Sequence, residues 1–278
     1  MLRLMYITND VEIAKICDEA YVDRIFIDLE KLGKAERQKN WNSVQSNHRI
    51  EDIGKVKAAV KKAQILVRIN PINENSKEEI DSVVEQCPDI IMLPYFKTPD
   101  EVQKFIGYVD GRAVTSLLLE TREAVKNIDE ILSIKGIDEV HIGLNDLSHS
   151  YEQPFLFAPF NHGIVDYIVS KIKQHGIKRY GIGGIAKIGY GKIPAEDVIC
   201  EHYRLGSTCA ILSRAFCNTE QITDIEEIAN IFSTEVSRIR KIENSVKQFD
   251  DEMFEYHRKQ FNEKVENVTE EIKKAAGA

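Results

Sequence analysis

Two short segments near the middle of the chain decide the fold prediction. Residues 113–121 read Ala-Val-Thr-Ser-Leu-Leu-Leu-Glu-Thr, and residues 140–148 read Val-His-Ile-Gly-Leu-Asn-Asp-Leu-Ser. Each is an apolar run of strand length followed by an acidic residue, Glu120 in the first and Asp146 in the second. The stretch between them has the length of one helix. The two segments therefore predict neighbouring parallel strands whose carboxylates lie at one edge of a sheet.

The same alternation of apolar runs and amphipathic stretches extends along most of the chain. We predict eight strands, at residues 2–7, 24–28, 65–69, 90–93, 113–119, 139–142, 179–182 and 208–212. The helices predicted between them include residues 50–62, 77–86, 100–108, 122–134, 163–175 and 195–203. Eight strand–helix units over about 215 residues favour an α/β fold of the (β/α)8 TIM barrel type. A doubly wound open sheet is the alternative, and it usually has fewer strands.

The chain after residue 223 has a different pattern. Apolar residues recur every three or four positions from Ile225 to Tyr256, without proline, which predicts one long helix. We therefore divide the chain into a barrel at residues 1–223 and a C-terminal helical extension at residues 224–278. A helix over this stripe is about 48 Å long at about 1.5 Å per residue. Because that exceeds the height of a barrel, we expect a homo-oligomer assembled through the extension; a last barrel helix with a frayed tail is the alternative.

The composition limits the classes of partner and the location. The chain has 278 residues, of which 43% are hydrophobic and 29% charged, and its net charge is -8. These values are typical of a globular protein and argue against nucleic acid as the partner. Five cysteines show no metal-ligand spacing, and the first apolar run stops at Asn9. We therefore expect a cytoplasmic protein with reduced thiols, without a signal peptide and with no membrane partner.

Polar residues at the ends of several predicted strands are the candidates for chemistry. The carboxyl ends of barrel strands meet at one rim, where active sites lie. Glu120 and Asp146 would form an oxygen-rich site suited to Mg²⁺ or Mn²⁺. Arg68, after the third strand, would bind a carboxylate or stabilise a developing enolate. The alternative for Arg68 is an ion pair with Asp28 or Glu30 that only braces the barrel.

Three further features bear on the predicted site. The amides of Gly143, Leu144 and Asn145 would hold a substrate carboxylate, unless this is an ordinary turn. His48 lies on the polar segment after the second strand and could reach the site. A glycine-rich segment at 181–191 follows the seventh strand, where barrels often bind phosphate; a mobile lid is the alternative. Lys187, Ser213 and Arg214 could reinforce an anionic pocket there.

At these residues the chain resembles the HpcH/HpaI aldolase and citrate lyase beta-subunit family, among the phosphoenolpyruvate/pyruvate-type barrels. The resemblance runs from about residue 22 to residue 217 and is strongest at residues 118–125, Leu-Leu-Glu-Thr-Arg-Glu-Ala-Val, and at residues 142–148. It implies that Glu120 and Asp146 are the metal ligands. It also implies that Arg68 is the arginine of the family's V-R motif.

The chain departs from the family pattern at defined positions. HpaI-type aldolases carry D-G-E-H after the second strand, whereas residues 28–31 here read Asp-Leu-Glu-Lys, so Lys31 replaces the histidine. Leu118 stands where those aldolases carry a glutamine. The Asp-Leu-Glu segment is closer to the citrate lyase and malyl-CoA lyase branch, in which the next residue is usually aspartate. The chain therefore resembles a divergent subgroup.

The resulting hypothesis is a carbon–carbon lyase of the aldolase type that depends on a divalent metal, Mg²⁺ before Mn²⁺. It would act on a 2-oxo acid or a related small carboxylate through an enolate. The catalytic candidates are Arg68, Glu30 and His48, and Asp28 is a candidate for substrate binding. The proton acceptor stays open among Glu30, Lys31, His48 and a metal-bound water. The alternatives are a CoA-thioester lyase or thioesterase, and a non-catalytic barrel that binds a small acid.

Overall fold

A computed structural model describes residues 1–34 and 46–277. Its eight strands are β1 (Arg3–Ile7), β2 (Arg24–Asp28), β3 (Gln64–Arg68), β4 (Ile90–Leu93), β5 (Val114–Leu119), β6 (Glu139–Ile142), β7 (Arg179–Ile185) and β8 (Cys209–Leu212). Each strand pairs in parallel with the next, and β8 pairs with β1 to close the barrel. The predicted TIM barrel is confirmed, and each predicted strand overlaps an observed one.

Twelve helices lie in the described part of the chain. They are α1 (Val11–Glu19), α2 (Ile50–Ala59), α3 (Ser76–Glu85), α4 (Pro99–Val109), α5 (Arg122–Lys126), α6 (Ile128–Leu132), α7 (Leu144–Ser150), α8 (Ala158–Asn161), α9 (Ile164–Gln174), α10 (Ala195–Leu205), α11 (Ile225–Val246) and α12 (Asp251–Ala276). The helix predicted at 122–134 is instead two short helices, because Asn127 leaves the helical conformation at φ -96°, ψ 15°.

The interior of the barrel is packed and closed at one end. An apolar cluster that includes Phe26, Leu66 and Met92 fills the middle. At the amino-terminal end of the strands, the buried Arg24 donates two hydrogen bonds, of 2.7 and 2.8 Å, to the buried carboxylate of Glu139. This ion pair plugs the interior, so access from outside is at the opposite rim, where the strands end.

Strand β7 continues into the glycine-rich segment that the sequence analysis assigned to a loop. Gly181 pairs with Cys209 and Gly184 with Ile211, so β7 carries one extra residue as a bulge. Gly183, inside the bulge, has φ +48°, and a Cβ there would overlap the side chain of Leu144. Residues 181–185 are therefore strand, and the loop predicted at 181–191 begins only after Ile185.

The C-terminal extension is two helices, so the prediction of one long helix is wrong. Helix α11 ends at Val246, and Asp250 begins α12 by accepting a hydrogen bond from the Met253 amide. Helix α11 packs against α1 and α10. Its apolar residues are buried along its whole length rather than over the first turns only: Ile228, Phe232, Val236, Ile239 and Val246.

Helix α12 returns along the same molecule. It packs against α8 and α10, and its Phe261 ring lies edge-on to Phe157 and Phe160, at 6.0 and 5.1 Å between ring centroids. Most of the predicted apolar stripe is thus covered within one chain. The division at residue 224 and the homo-oligomer stay predictions. No helix among the described residues is both long and apolar enough to span a membrane.

Candidate active site

The candidate residues gather at the carboxyl-terminal rim of the barrel. Asp28 and Arg68 are the last residues of β2 and β3 and face each other in the strand register. Glu120 follows β5 directly. Asp146 lies in the first turn of α7, which begins just after β6. The strand ends therefore bring four of the predicted residues to one rim.

Arg68 and Asp28 form a two-pronged ion pair. Arg68 Nε donates to Asp28 Oδ1 at 2.9 Å, and Nη2 donates to Oδ2 at 2.8 Å. The Arg68 side chain is 14% exposed and lines a polar cavity at the rim. Both readings of Arg68 thus have a basis: it pairs with Asp28, and it faces the cavity rather than the outer wall of the barrel.

Asp28 carries more hydrogen bonds than this pair alone. Lys34 Nζ and Ser46 Oγ both donate to its Oδ2, at 2.6 and 2.9 Å. Burial alone would raise the pKa of the Asp28 carboxyl, but Arg68 and Lys34 outweigh it and hold that pKa well below its usual range. Asp28 is therefore a permanent anion that orients its neighbours, and it cannot take up a proton near neutral pH.

Glu30 completes a compact charge cluster with these residues. Its side chain is 1% exposed, and its Oε2 lies 3.4 Å from Arg68 Nε and 3.8 Å from Lys34 Nζ. Two carboxylates and two cations are thus buried together, which compensates the cost of removing each from water. Burial lowers the pKa of the Arg68 guanidinium, but Asp28 and Glu30 raise it further, so Arg68 stays charged.

His48 is fixed at the edge of this cluster. Its Nδ1 accepts a hydrogen bond of 2.9 Å from the backbone amide of Asp28, and the residue is 8% exposed. Burial lowers the pKa of His48, although Asp28 and Asp52 oppose that shift. His48 therefore lines the cavity in a position fixed by this hydrogen bond, and its catalytic role stays a prediction.

The Glu120 carboxylate is held by backbone on two sides. Its Oε1 accepts a hydrogen bond of 3.1 Å from the amide of Tyr95, which follows β4 and has φ +50°. Its Oε2 lies against Gly143, where an added Cβ would overlap it. Glycine at 143 thus allows the Glu120 carboxylate to approach the start of α7, the helix that carries Asp146.

Of the three backbone amides predicted to bind a substrate carboxylate, at residues 143–145, the structure excludes one. The Gly143 amide already donates to the Leu119 carbonyl at 3.1 Å, so this residue cannot offer it to a substrate. The Leu144 side chain is buried against the β7 bulge, and the Asn145 carbonyl accepts from Ser148 Oγ at 2.7 Å. Binding of a substrate by the amides of Leu144 and Asn145 stays a prediction.

Glu120 and Asp146 carry the type of oxygen ligand that a hard divalent cation prefers. Glu120 and Asp146 are both buried carboxylates, 3% and 8% exposed, at neighbouring strand ends. Such oxygen ligands suit Mg²⁺ or Mn²⁺, which usually keep several waters. Within residues 1–34 and 46–277, no group of three or more His, Cys, Asp or Glu side chains forms a metal site. The pair would therefore rely on water or substrate oxygens to complete the coordination.

A cavity of about 540 Å³ opens at the same rim, over the ends of β1, β2, β3 and β8. Asp28, Arg68 and His48 line it, whereas Glu120 and Asp146 lie outside its lining. Its lining also includes hydroxyl and amide side chains, those of Thr8, Asn9, Ser213, Asn218 and Thr219. The rim thus offers both a pair of buried carboxylates and a polar cavity that Arg68 lines.

Sequence reasoning missed Lys34, Ser46 and Tyr95. Lys34 is only 4% exposed although it lies in a polar stretch, and Tyr95 contributes a backbone amide rather than its side chain. The lysine six residues after Asp28 was the only local signal, and it does not distinguish a buried ion pair from a solvated side chain. Lys31, which replaces the family's histidine, is exposed.

Parallel strands that end in carboxylates and an arginine around a cavity define a TIM barrel with an enzyme-type site. A sequence model of the HpcH/HpaI aldolase/citrate lyase family matches residues 4–154, which is more than half of the chain. The chain belongs to this family. Membership supports chemistry of the aldolase or lyase type.

Individual relatives are more distant. A hydroxypyruvate/pyruvate aldolase from Rhizorhabdus wittichii is 48% identical over 44 residues, which are 16% of this chain and 18% of that protein. The match thus spans less than a fifth of the curated relative.

Solved structures show the same fold. An HpcH/HpaI aldolase from Desulfitobacterium hafniense matches with a TM-score of 0.60 and 15% identity, over 82% of this chain and 92% of that one. An HpcH/HpaI aldolase/citrate lyase family protein from Burkholderia cenocepacia matches with a TM-score of 0.63 and 13% identity, over 82% and 94% of the two chains. At this identity the likeness establishes the barrel and leaves the substrate open.

Proposed function

We propose that this protein is a divalent-metal-dependent carbon–carbon lyase of the aldolase type that acts on a 2-oxo acid. The observation that carries the proposal is that two buried carboxylates, Arg68 and a polar cavity occur together at the carboxyl-terminal rim of the barrel. The carboxylates of Glu120 and Asp146 are buried at the ends of β5 and β6, and Arg68 ends β3 and lines the polar cavity. Family membership adds support for the reaction class.

In this proposal the carboxylates bind the metal ion and the arginine stabilises negative charge on the substrate. A divalent ion held by Glu120 and Asp146 would act as a Lewis acid for the enolate that forms on bond cleavage. Arg68 adds a fixed positive charge on the same oxygens, and Asp28 sets the orientation of its planar guanidinium. Because Lys34 donates to Asp28, and Asp28 accepts from two nitrogens of Arg68, these two residues position Arg68.

Proton exchange on a 2-oxo acid tests this proposal without knowledge of the second substrate. An enzyme that forms the enolate should exchange the methyl protons of pyruvate, or the C3 protons of hydroxypyruvate, for deuterium in D₂O. We expect exchange, followed by proton NMR, only after Mg²⁺ or Mn²⁺ is added to protein treated with a chelator. Exchange that persists at full rate in the chelated protein would contradict metal dependence.

Variants tie the exchange to the proposed ligands. Glu120→Gln and Asp146→Asn keep the shape of each side chain but remove its charge, so both should lose exchange and Mn²⁺ binding. Glu123→Gln is a matched control, because Glu123 is exposed three residues from Glu120. Equal Mn²⁺ affinity in all three variants would show that Glu120 and Asp146 are not the ligands.

A further inference from the structure

The hydrogen bond between Asp28 and His48 fixes where the histidine can carry a proton. A backbone amide can only donate, so the Nδ1 that accepts from the Asp28 amide must be unprotonated. A neutral imidazole has one N–H, which is then on Nε2. Burial lowers the pKa of His48, which favours this neutral form near neutral pH; the charged neighbours are Asp28, Asp52, Lys34 and Arg68.

The other ring nitrogen remains available to a ligand. No atom of residues 1–34 or 46–277 forms a hydrogen bond with His48 Nε2, and His48 lines the 540 Å³ cavity. With Nδ1 engaged and Nε2 protonated, the ring has no lone pair with which to accept a proton. The histidine that the sequence analysis kept among the possible proton acceptors is therefore in a donor state.

The position of His48 indicates which part of the substrate it meets. The residues proposed to hold the 2-oxo acid, Glu120 and Asp146, lie outside the cavity lining, whereas His48 and Arg68 are part of it. A second fragment joined to the oxo acid would extend past Arg68 into the cavity. Its oxygen next to the new carbon–carbon bond would then lie on the side of His48.

We propose that His48 donates a hydrogen bond from Nε2–H to the hydroxyl or carbonyl oxygen of the aldehyde fragment, and that another group accepts the proton during cleavage. This inference rests on the proposed lyase function for its substrate, but the protonation state of His48 is independent of it. The donor stabilises negative charge as it develops on that oxygen, a role that needs no proton uptake by the ring.

Two substitutions separate this role from a structural one. In His48→Asn the amide oxygen takes the place of Nδ1, so the bond from the Asp28 amide survives and the distal donor is lost. In His48→Gln the amide NH₂ lies near the position of Nε2, so a donor survives and the Asp28 bond is lost. A purely structural histidine should tolerate Asn better than Gln, whereas a donor should show the reverse order.

The kinetic test uses pyruvate with glycolaldehyde as the aldehyde probe. We expect aldol addition to fall on the order of 100-fold in His48→Asn, as for loss of one transition-state donor, and about tenfold or less in His48→Gln. Pyruvate proton exchange should fall far less than addition in both variants, because it does not involve the aldehyde. Equal losses of exchange and addition, or a His48→Asn variant as active as the natural protein, would overturn the assignment.

Nitrogen NMR of ¹⁵N-histidine-labelled protein reads the protonation state directly. The His48 signals are identified by their absence in His48→Asn, and at pH 7.5 we expect a neutral ring protonated on Nε2. A ring protonated on Nδ1, or on both nitrogens, would refute the donor assignment. If no 2-oxo acid exchanges protons, the lyase proposal and the aldehyde contact fail together, while this spectrum still decides whether His48 is a donor.

Discussion

At the scale of single residues, Gly143 has the clearest steric role in the site. A Cβ at this position would overlap both Oε2 and Cβ of Glu120. We therefore expect Gly143→Ala to displace the Glu120 carboxylate and to weaken Mn²⁺ binding at least tenfold, about 1.4 kcal/mol or more. Calorimetric titration with Mn²⁺ measures this change.

Gly107 supplies the control for that substitution. It lies within helix α4, and no atom comes within 4 Å of an added Cβ. Gly107→Ala should leave Mn²⁺ affinity unchanged and raise stability by about 0.5–1 kcal/mol, because alanine loses less entropy in a helix. If Gly143→Ala binds Mn²⁺ as tightly as Gly107→Ala does, the Glu120 site is placed wrongly.

Arg68 is the second residue whose chemistry can be isolated. Arg68→Lys keeps the positive charge but cannot reach both oxygens of Asp28. We expect kcat to fall by about 100-fold or more, as for loss of an oriented electrostatic group, with the fold retained by circular dichroism. The assay is pyruvate proton exchange at saturating Mg²⁺.

Arg24 offers a matched control at the other end of the barrel. It also makes a two-pronged contact, with Glu139, and is buried more deeply than Arg68, at 2% against 14% exposed, but it lies at the opposite end of the strands. Arg24→Lys should lower thermal stability with little effect on kcat. Similar kcat values for Arg68→Lys and Arg24→Lys would mean that Arg68 only braces the barrel.

At the scale of elements, α11 is tied to the barrel by a buried carboxylate. Glu243 is fully buried and accepts hydrogen bonds from the Leu2 amide at 2.6 Å and the Tyr203 hydroxyl at 2.8 Å, and Arg240 lies at 2.7 Å. Glu243→Gln removes the buried charge that pairs with Arg240, which then keeps Asp23, at 3.1 Å, as a charged partner. We expect a loss of about 1–3 kcal/mol in the free energy of unfolding, measured with urea.

Glu270 is the corresponding surface position. It is paired with Lys274 at 3.5 Å on an exposed face of α12. Glu270→Gln should change stability by less than about 0.5 kcal/mol. A loss in Glu243→Gln no larger than this would show that α11 does not depend on the buried contact. Because Glu235, also on α11, accepts from the Ile188 amide, the same helix supports the segment after β7.

The elements also show how far the sequence allowed prediction. The strands were predictable because each is a short apolar run, and Glu120 and Asp28 followed from their places at strand ends. The break between α11 and α12 was not predictable, because the apolar spacing continues through Phe249 and Met253. Only Asp250, which caps the start of α12, marks the break in the sequence. The burial of Lys34 depends on Asp28 and Glu30, which reach it through the fold rather than through local pattern.

At the scale of the whole molecule, two buried histidines couple stability to pH. Burial lowers the pKa of His141 to about 4 and that of His202 to about 3, from 6.5. Between pH 6.5 and 4 the unfolded chain binds protons on these rings and the folded chain does not. These two histidines therefore make their full contribution to the free energy of unfolding above about pH 6.5, and that contribution decreases as the pH falls. For His141 the decrease is about 3 kcal/mol at pH 4.

A histidine variant isolates this contribution. His202→Asn retains a polar partner for Ser207 Oγ, which lies 2.9 Å from His202 Nδ1, but it cannot titrate. Urea unfolding from pH 7 to 4.5 should show a shallower loss of stability in His202→Asn than in the natural protein. His175→Asn, at a half-buried histidine on the outside of the barrel, is the control. Identical slopes for all three proteins would contradict the linkage.

Assembly is the remaining property of the whole molecule. Because the C-terminal extension packs on its own barrel, a contact between subunits would have to use a surface that this packing leaves exposed. An apolar patch lies at the turn between α11 and α12 and on the first turns of α12; it consists of the half-buried Phe249 and the exposed Met253 and Tyr256. Met253 is 42% and Tyr256 62% exposed. Exposing large apolar side chains costs up to roughly 1.5–3 kcal/mol each, and a second copy of the chain would remove that cost. We therefore predict a homo-oligomer with contacts at this patch.

Point variants test this prediction better than truncation does. Deletion of residues after Gln248 would remove Phe261 from Phe157 and Phe160 and uncover the barrel itself. Met253→Glu with Tyr256→Lys changes only the patch and should shift the chain toward monomer in sedimentation velocity at micromolar concentration. Tyr190→Lys, at a tyrosine 57% exposed on the segment after β7, should not. A natural protein that already sediments as a monomer would rule out assembly through the tail, because the variants would then have nothing to disrupt.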